Sequence, residues 1–335
     1  MDSLNNKFNS LENLIGNTPL IEILFSYKGK EMKIYTKLEY YNYTGSIKDR
    51  VALYILKKAY SENKINPDTT IVECTSGNMG ISLASIGSFL NNKVKIYLPE
   101  WMSEERKKLL ISFGAEIQLI SKSSGGFLEC IRLAKEEAKL NKNIFLPSQF
   151  ENSNNIMAHY LTTGPEILNA LYKKNLIPNC FVAGVGTGGT IMGISRYLKT
   201  INPKLKSYPI EPSNSKILSC KFSNSSHRIE GISDDFVPPI LKLYELNRII
   251  DVDDGDSIIM AQKLSNSLGL GVGISSGANF LGAVKVLLKE GLNNTIVTVF
   301  PDDNKKYLST DLMKNEPIKE TFLSKDIELL SFNVL

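Results

Sequence analysis

Three times in this chain a short apolar strand runs without pause into a turn of glycines and hydroxyl residues, and the turn opens a helix. Thr70-Ile71-Val72-Glu73 leads into Cys74-Thr75-Ser76-Gly77-Asn78-Met79-Gly80, followed by helical spacing through Ile81, Leu83, Ala84 and Ile86. Cys180-Phe181-Val182-Ala183 leads into Gly184-Val185-Gly186-Thr187-Gly188-Gly189-Thr190 and a helix from Ile191. Gly271 to Ala278 opens the helix holding Ala283 to Leu288. Strand alternating with helix requires a parallel sheet covered on both faces. The other segments keep the alternation. Strands are expected at Lys33–Leu38, Val94–Leu98, Ala115–Ile120, Tyr208–Glu211, Ile249–Val252 and Thr295–Phe300, the last taken as the final core strand. Helices are expected at Glu105–Phe113, Cys130–Leu140 and Asn155–Leu171, the third interrupted at Gly164-Pro165.

The expected fold class is α/β, with two lobes that each carry a central, mostly parallel sheet covered by helices. The pattern restarts after Pro147, which places a boundary near Leu146. Residues 41–146 are expected as a smaller lobe, and residues 1–40 with 147–335 as a larger one. No flexible linker intervenes, so a cleft between packed lobes is expected. The 335 residues suffice for two well-buried cores.

Thr44-Gly45-Ser46-Ile47-Lys48-Asp49-Arg50 precedes helical spacing at Val51, Tyr54, Ile55 and Ala59, with Ser46 as the expected N-cap. Lys48 then falls in the first turn. The positive end of the helix dipole disfavours its ammonium form there. That is a cost in a structural helix and an asset for a reactive amine. A solvated surface lysine is the plain alternative. Gly184–Thr190 can converge backbone amides on an anion at a helix N-terminus, with hydroxyls as further donors. It has neither the Gly-Lys-Ser/Thr of a P-loop nor a GxGxxG fingerprint. A structural tight turn is the alternative. Thr75-Ser76-Gly77-Asn78 offers a second anion cup, or an ordinary N-cap. Two anion cups and a lysine suit a phosphorylated cofactor and a carboxylate substrate.

The composition excludes several classes. A formal net charge of +4 with no basic stripe argues against nucleic acid. No apolar run is long enough to span a bilayer, and the polar segment Met1–Asn9 lacks a signal-peptide core. Four scattered cysteines without a CxxC pair argue against a zinc site or a disulfide framework and for a reducing cytoplasm. Two histidines leave little for a triad or a metal centre, and no metal is expected.

Asn42-Tyr43-Thr44-Gly45-Ser46-Ile47-Lys48-Asp49-Arg50, Thr75-Ser76-Gly77-Asn78, Ser148-Gln149-Phe150, Thr162-Thr163-Gly164-Pro165-Glu166, Gly186-Thr187-Gly188-Gly189-Thr190 and Gly273-Ile274-Ser275-Ser276-Gly277 stand in this order. Together they resemble the cysteine synthase and cystathionine β-synthase family, pyridoxal-phosphate enzymes of the tryptophan-synthase β fold (fold type II). The likeness runs from about Leu14 to Tyr307. It implies pyridoxal 5′-phosphate as cofactor, small amino-acid substrates and a homodimer. It implies that Lys48 takes the cofactor aldehyde as a Schiff base, and that Gly186, Thr187, Gly188, Gly189 and Thr190 cradle its phosphate. Asn78 would bond the ring hydroxyl and Ser275 the pyridine nitrogen. Thr75, Ser76, Asn78, the amide of Met79 and Gln149 would hold the substrate carboxylate. A serine at the ring nitrogen leaves it largely neutral, which favours α,β-elimination over transamination. Lys48, once released, is then the base at Cα.

The chain departs from the family pattern at Tyr43, Cys74 and Met79, and most tellingly in Glu230-Gly231-Ile232-Ser233-Asp234-Asp235-Phe236-Val237-Pro238. Ser233 replaces a glycine. Asp234 stands where cysteine synthases carry alanine and cystathionine β-synthases carry tyrosine, whereas Asp235 matches an aspartate common in the latter. This loop borders the space above the substrate Cβ in the family. A carboxylate there repels hydrosulfide and thiolates and accepts a proton from water. The expected reaction is release of hydrogen sulfide from L-cysteine with water entering to give L-serine, with Lys48 and Asp234 as catalytic residues. The alternatives are cysteine synthesis from O-acetylserine, thioether synthesis (lanthionine or cystathionine), a serine or threonine dehydratase, and a non-catalytic scaffold or binder. Asp234 pointing to solvent would favour cysteine synthesis.

Overall fold

The apolar runs read from the sequence become the buried strands of two sheets in the computed structural model, which describes residues 2–220, 226–234 and 236–335. In chain order the strands are β1 (Leu20–Tyr27), β2 (Lys30–Leu38), β3 (Thr70–Cys74), β4 (Val94–Pro99), β5 (Glu116–Ile120), β6 (Ile144–Phe145), β7 (Cys180–Gly184), β8 (Lys206–Pro212), β9 (Ile250–Val252), β10 (Ile296–Phe300) and β11 (Ile327–Val334). The smaller sheet has the order β5-β4-β3-β6 and is parallel throughout. The larger sheet has the order β11-β1-β2-β10-β7-β8-β9. It is parallel from β2 to β9, but β1 runs antiparallel to both β2 and β11. Strands of the larger sheet come from before and after the segment that builds the smaller one.

Several local expectations are corrected. The last strand is β11, not Ile296–Phe300. It is an edge strand, mostly exposed, although Leu330-Ser331-Phe332-Asn333-Val334 alternates as a strand does. Helix Asp254–Leu268 hides behind Asp-Asp-Gly-Asp, which reads as a turn. Its N-cap Asp253 accepts from the amide of Gly255 at 2.8 Å, and Gly269 ends it at φ +69°. Helix Asp2–Leu14 is polar except for the face of Phe8 and Leu11, which docks on the smaller lobe's core, where Phe8 meets Tyr60 edge to face. The helix around Gly164-Pro165 is not broken there. A single π-helical turn, His159–Thr163, precedes Gly164, and Pro165 sits where the next segment needs no amide donor. Helix Lys48–Ser61 starts one residue later than a Ser46 cap implies. Ile47 holds the N-cap position, and the Ser46 hydroxyl accepts from the Lys48 amide at 3.3 Å.

Arg50 and Glu166, charged residues in two of the quoted motifs, are structural. Arg50 is buried and donates to Glu39 at 2.6 Å and to Glu166 at 2.6 Å, while Lys37 reaches Glu166 at 2.7 Å. This network ties β2 and the Lys48 helix to the helix Gly164–Tyr172. Burial alone would raise the Glu39 carboxyl, but Arg50 and Lys37 hold it down at about 2. Arg50→Met is therefore expected to cost about 3–5 kcal/mol in a urea melt at neutral pH, since Glu39 is left as an uncompensated buried charge. A depressed carboxylate stabilises above its ordinary value and loses that contribution as pH falls through its native value. In the variant burial raises the unpaired Glu39, so the gap between wild type and variant should shrink as pH falls through that raised value and close toward about 2. A pH-independent gap would count against this network.

Among the described residues no helix is long and apolar enough to cross a membrane, and no cluster of His, Cys, Asp and Glu could hold a metal ion.

Candidate active site

The C-terminal ends of β3, β7 and β10, with the turns that follow them, meet in one cleft. Ligands of parallel α/β sheets bind outside the carboxyl ends of strands, where loops diverge and helix N-termini converge. Lys48, Thr75, Ser76, Asn78, Met79, Gln149, Gly186, Thr187, Gly188, Thr190, Asp234 and Ser275 all line it. Gly189 does not. It opens the helix Gly189–Ile201 beneath the loop, where a Cβ would fall 1.9 Å from Asn155 Oδ1.

Lys48 lies deep in this cleft. Burial lowers the pKa of its amine, and the nearby carboxylates of Asp234 and Asp302 only partly restore it. No hydrogen bond to its Nζ is found among the described residues. The neighbouring Asp49 carboxylate fixes the approach to the helix, accepting from the amide of Thr44 at 2.7 Å and from the hydroxyl of Ser82 at 2.6 Å.

The loop Gly184–Thr190 is shaped by what presses on it. A Cβ at Gly186 would come within 2.5 Å of the Gly231 carbonyl oxygen, and one at Gly184 within 2.7 Å of Ile232 Cγ2. Thr187 Oγ1 accepts from Asn155 Nδ2 at 2.9 Å and from the Gly189 amide at 3.4 Å, which leaves its proton to donate elsewhere. Behind Thr190 sits His159, whose Nε2 lies 3.3 Å from the Thr190 hydroxyl. Burial drives His159 down to about 3, so it is a neutral packing partner rather than an acid or base.

On the other wall, Gly77 adopts φ +152°, and the Arg106 side chain packs against it so closely that a Cβ would lie 2.5 Å from Cδ. Thr75 Oγ1 accepts from the Gly77 amide at 3.0 Å. Met79 turns its side chain into the smaller core, leaving only its backbone for the cleft. Gln149 Nε2 donates to the Cys74 carbonyl at 3.0 Å, and Glu73 accepts from the amides of Cys74 at 2.9 Å and Gln149 at 3.1 Å. Burial raises Glu73 to about 7 against these backbone donors. Cys74, where the family has proline, is a buried thiol packed near Phe127 and Cys130 and raised in pKa by that burial.

Asp234 lies in the cleft wall, and its charge acts on Lys48. The adjacent Ser233 has φ +53°, a left-handed conformation that costs a non-glycine residue about 1–2 kcal/mol. Asp235 lies outside the described residues.

Some site residues were not found from sequence. Asp302 is buried, accepts from Asn78 Nδ2 at 2.7 Å and from the Tyr307 hydroxyl, and leaves Oδ1 without a partner among the described residues. Burial raises its pKa. Asn279 accepts from the Gly184 amide at 2.7 Å and donates to the Val299 carbonyl at 2.8 Å, joining β7 to β10. Asn155 links Gln149 to Thr187. Arg106 pairs with Glu230 across the mouth and stacks 4.6 Å over the Tyr307 ring. Only Asp302 had a usable signal, two residues past a core strand and so at a carboxyl end.

A family model described as pyridoxal-phosphate dependent enzyme matches residues 11–302, and the chain belongs to that family. It is a pyridoxal-phosphate-dependent enzyme with the tryptophan-synthase β-like fold. Within the family it is 43% identical over 299 residues to cysteine synthase B of Campylobacter jejuni, covering 89% of this chain and 96% of the relative. It is 55% identical to a hydrogen sulfide-producing enzyme from Fusobacterium nucleatum, with a TM-score of 0.96 and 99% of each chain covered. An aspartate-to-asparagine mutant of that enzyme, in complex with an α-aminoacrylate intermediate, superposes with the same TM-score and identity.

The cleft fits the cofactor on its own atoms. The glycine loop lines the cleft with Gly186, Thr187, Gly188 and Thr190, and the Thr187 hydroxyl keeps its proton to donate. Asn78 keeps a buried Oδ1 with no hydrogen-bond partner among the described residues. Lys48 supplies a desolvated amine between the two.

Proposed function

We propose that this protein releases hydrogen sulfide from L-cysteine and replaces it with water to give L-serine. The observation that carries the proposal is the Asp234 carboxylate in the wall of the Lys48 cleft. The 55% identity to a hydrogen sulfide-producing enzyme supports it. In this reading Gly186–Thr190 hold the cofactor phosphate, Asn78 and Ser275 address its ring, and Lys48 carries it. The chemistry pyridoxal phosphate supplies when bound is an electron sink for charge developing at Cα of an amino acid.

The protein's own groups do the rest. Thr75, Ser76, Asn78, the Met79 amide and Gln149 fix the substrate carboxylate. The neutral Lys48 amine takes the Cα proton, and the Cβ–S bond breaks with its electron pair going to sulfur. Asp234 then takes a proton from water as the water oxygen bonds to Cβ and gives it up again, so that the expelled hydrosulfide gains a proton to become hydrogen sulfide, and Lys48 returns its proton to Cα. The balance is L-cysteine plus water giving L-serine plus hydrogen sulfide.

Residues 41–146, with the helix Asp2–Leu14 packed on their core, act in this reading as the substrate-carboxylate lobe, closing on the lobe built from β1, β2 and residues 147–335. Arg106–Glu230 and Asn78–Asp302 are the polar contacts that such closure makes or tightens. Thr75→Ala is then expected to raise KM about tenfold with a smaller change in kcat, because a carboxylate contact present in ground and transition states contributes uniform binding. A fall in kcat with unchanged KM would contradict this role. A homodimer in the cytoplasm completes the reading.

The decisive experiment is product analysis of the cofactor-loaded enzyme with cysteine, serine and O-acetylserine, each with and without added thiol. Sulfide and serine in equal amounts from cysteine are expected. Strong preference for O-acetylserine plus sulfide would make the protein a cysteine synthase, and a keto acid would make it a dehydratase.

A further inference from the structure

We infer that His227 is a positioning residue for Asp234, and that it sets the competition between water and thiol at Cβ. The inference rests on the role proposed for Asp234. His227 is one of only two histidines, and His159 is a buried packing residue. His227 Nε2 lies 2.9 Å from the backbone carbonyl oxygen of Ser233. A carbonyl only accepts, so Nε2 carries the proton. In the neutral ring Nδ1 is then a bare lone pair, and it is buried without a hydrogen-bond partner among the described residues.

The carbonyl that His227 grips belongs to the peptide unit joining Ser233 to Asp234. That unit is planar, so the direction of the Ser233 carbonyl fixes the plane from which the Asp234 side chain departs. Ser233 needs holding because its left-handed conformation is unfavourable for a serine. Two polar ties flank it. Its amide donates to the Val185 carbonyl at 2.8 Å, on the glycine loop, and its carbonyl accepts from His227. On either side, Ile229 and Ile232 are sunk in the larger core, and the Phe236 ring packs edge-on to Phe150 at 5.0 Å. The segment is therefore anchored at both ends, with the His227 bond governing the peptide that aims Asp234.

The test is the ratio of serine to thioether product when the cofactor-loaded enzyme turns over cysteine in a fixed concentration of 2-mercaptoethanol. A product ratio is insensitive to the fraction of active protein. His227→Phe keeps the ring's bulk without the donor, and His227→Gln restores an amide donor. His227→Phe should lower the ratio about tenfold, the scale of a misplaced catalytic group, with the cofactor spectrum and the KM for cysteine retained. His227→Gln should recover most of it. A crystal structure of His227→Phe without amino acid should show the Ser233–Asp234 peptide turned from its position. A ratio unchanged in His227→Phe while Asp234→Asn shifts it would overturn the positioning role and leave Asp234 standing. A ratio unchanged in Asp234→Asn as well would remove the reading on which the inference depends. Should His227→Phe fail to take up cofactor, His227→Ala decides on the same ratio and by the same two outcomes.

Discussion

Lys48→Ala is expected to reduce turnover by roughly four orders of magnitude or more, because the amine proposed to carry the cofactor and to act as the base at Cα is removed. The cofactor should still associate through the loop Gly186–Thr190, which does not depend on Lys48. The size of the effect follows from where the amine sits. Burial favours the neutral form at the expense of the ammonium, and Asp234 and Asp302 moderate that shift. A surface lysine would be protonated and solvated, and would serve as neither nucleophile nor base. Borohydride reduction of the wild-type holoenzyme followed by peptide mapping should place the label on Lys48. Label on another lysine, or substantial turnover by the alanine variant, would refute the assignment.

Asp234→Asn should slow serine formation from cysteine by about 10²–10⁴-fold, the usual contribution of a positioned general base, with the cofactor spectrum intact. Asparagine is nearly the same shape and carries no charge, so packing and access are preserved. The same change should improve the entry of anionic nucleophiles. Two like charges about 4 Å apart at an effective dielectric of about 20 repel by about 4 kcal/mol before screening. The variant should therefore gain thiol-exchange or cysteine-synthase activity as it loses hydration. Stopped-flow absorbance with cysteine, and product analysis with O-acetylserine plus sulfide, measure the two effects. Serine formation at the wild-type rate would return the protein to ordinary cysteine synthesis.

Strand-to-helix turns at Thr75–Asn78 and Gly184–Thr190 determined the parallel sheets and both loops of the cleft from sequence alone, because apolar period and turn chemistry are local. The cleft residues proposed from sequence reach it, except Gly189, which underlies the loop rather than lining it. Locality also explains the failures. Strand β11 alternates at Leu330, Phe332 and Val334 and the helix Asp2–Leu14 carries Leu4, Phe8 and Leu11 at helical spacing, but each takes its place from a neighbour distant in sequence: β1 for one and Tyr60 for the other. The glycines at 184 and 186 read as a phosphate cup, with a tight turn as the alternative. Tertiary contact with Ile232 and Gly231 requires them as well.

The charged groups divide in the same way. Arg50 and Glu166 stand in motifs that read as functional, yet the fold makes them a buried brace, because only packing removes them from water and forces them to pair. Asp302, Asn279 and Asn155 lie far along the chain from the motifs they support, and no spacing rule links Asn78 to Asp302 or Thr187 to Asn155. The sequence by itself determined the fold class and the cofactor family. The tertiary structure alone decided that Asp234 lines the cleft and that His227 holds the peptide before it, because side-chain direction in an irregular loop is set by distant carbonyls and cores.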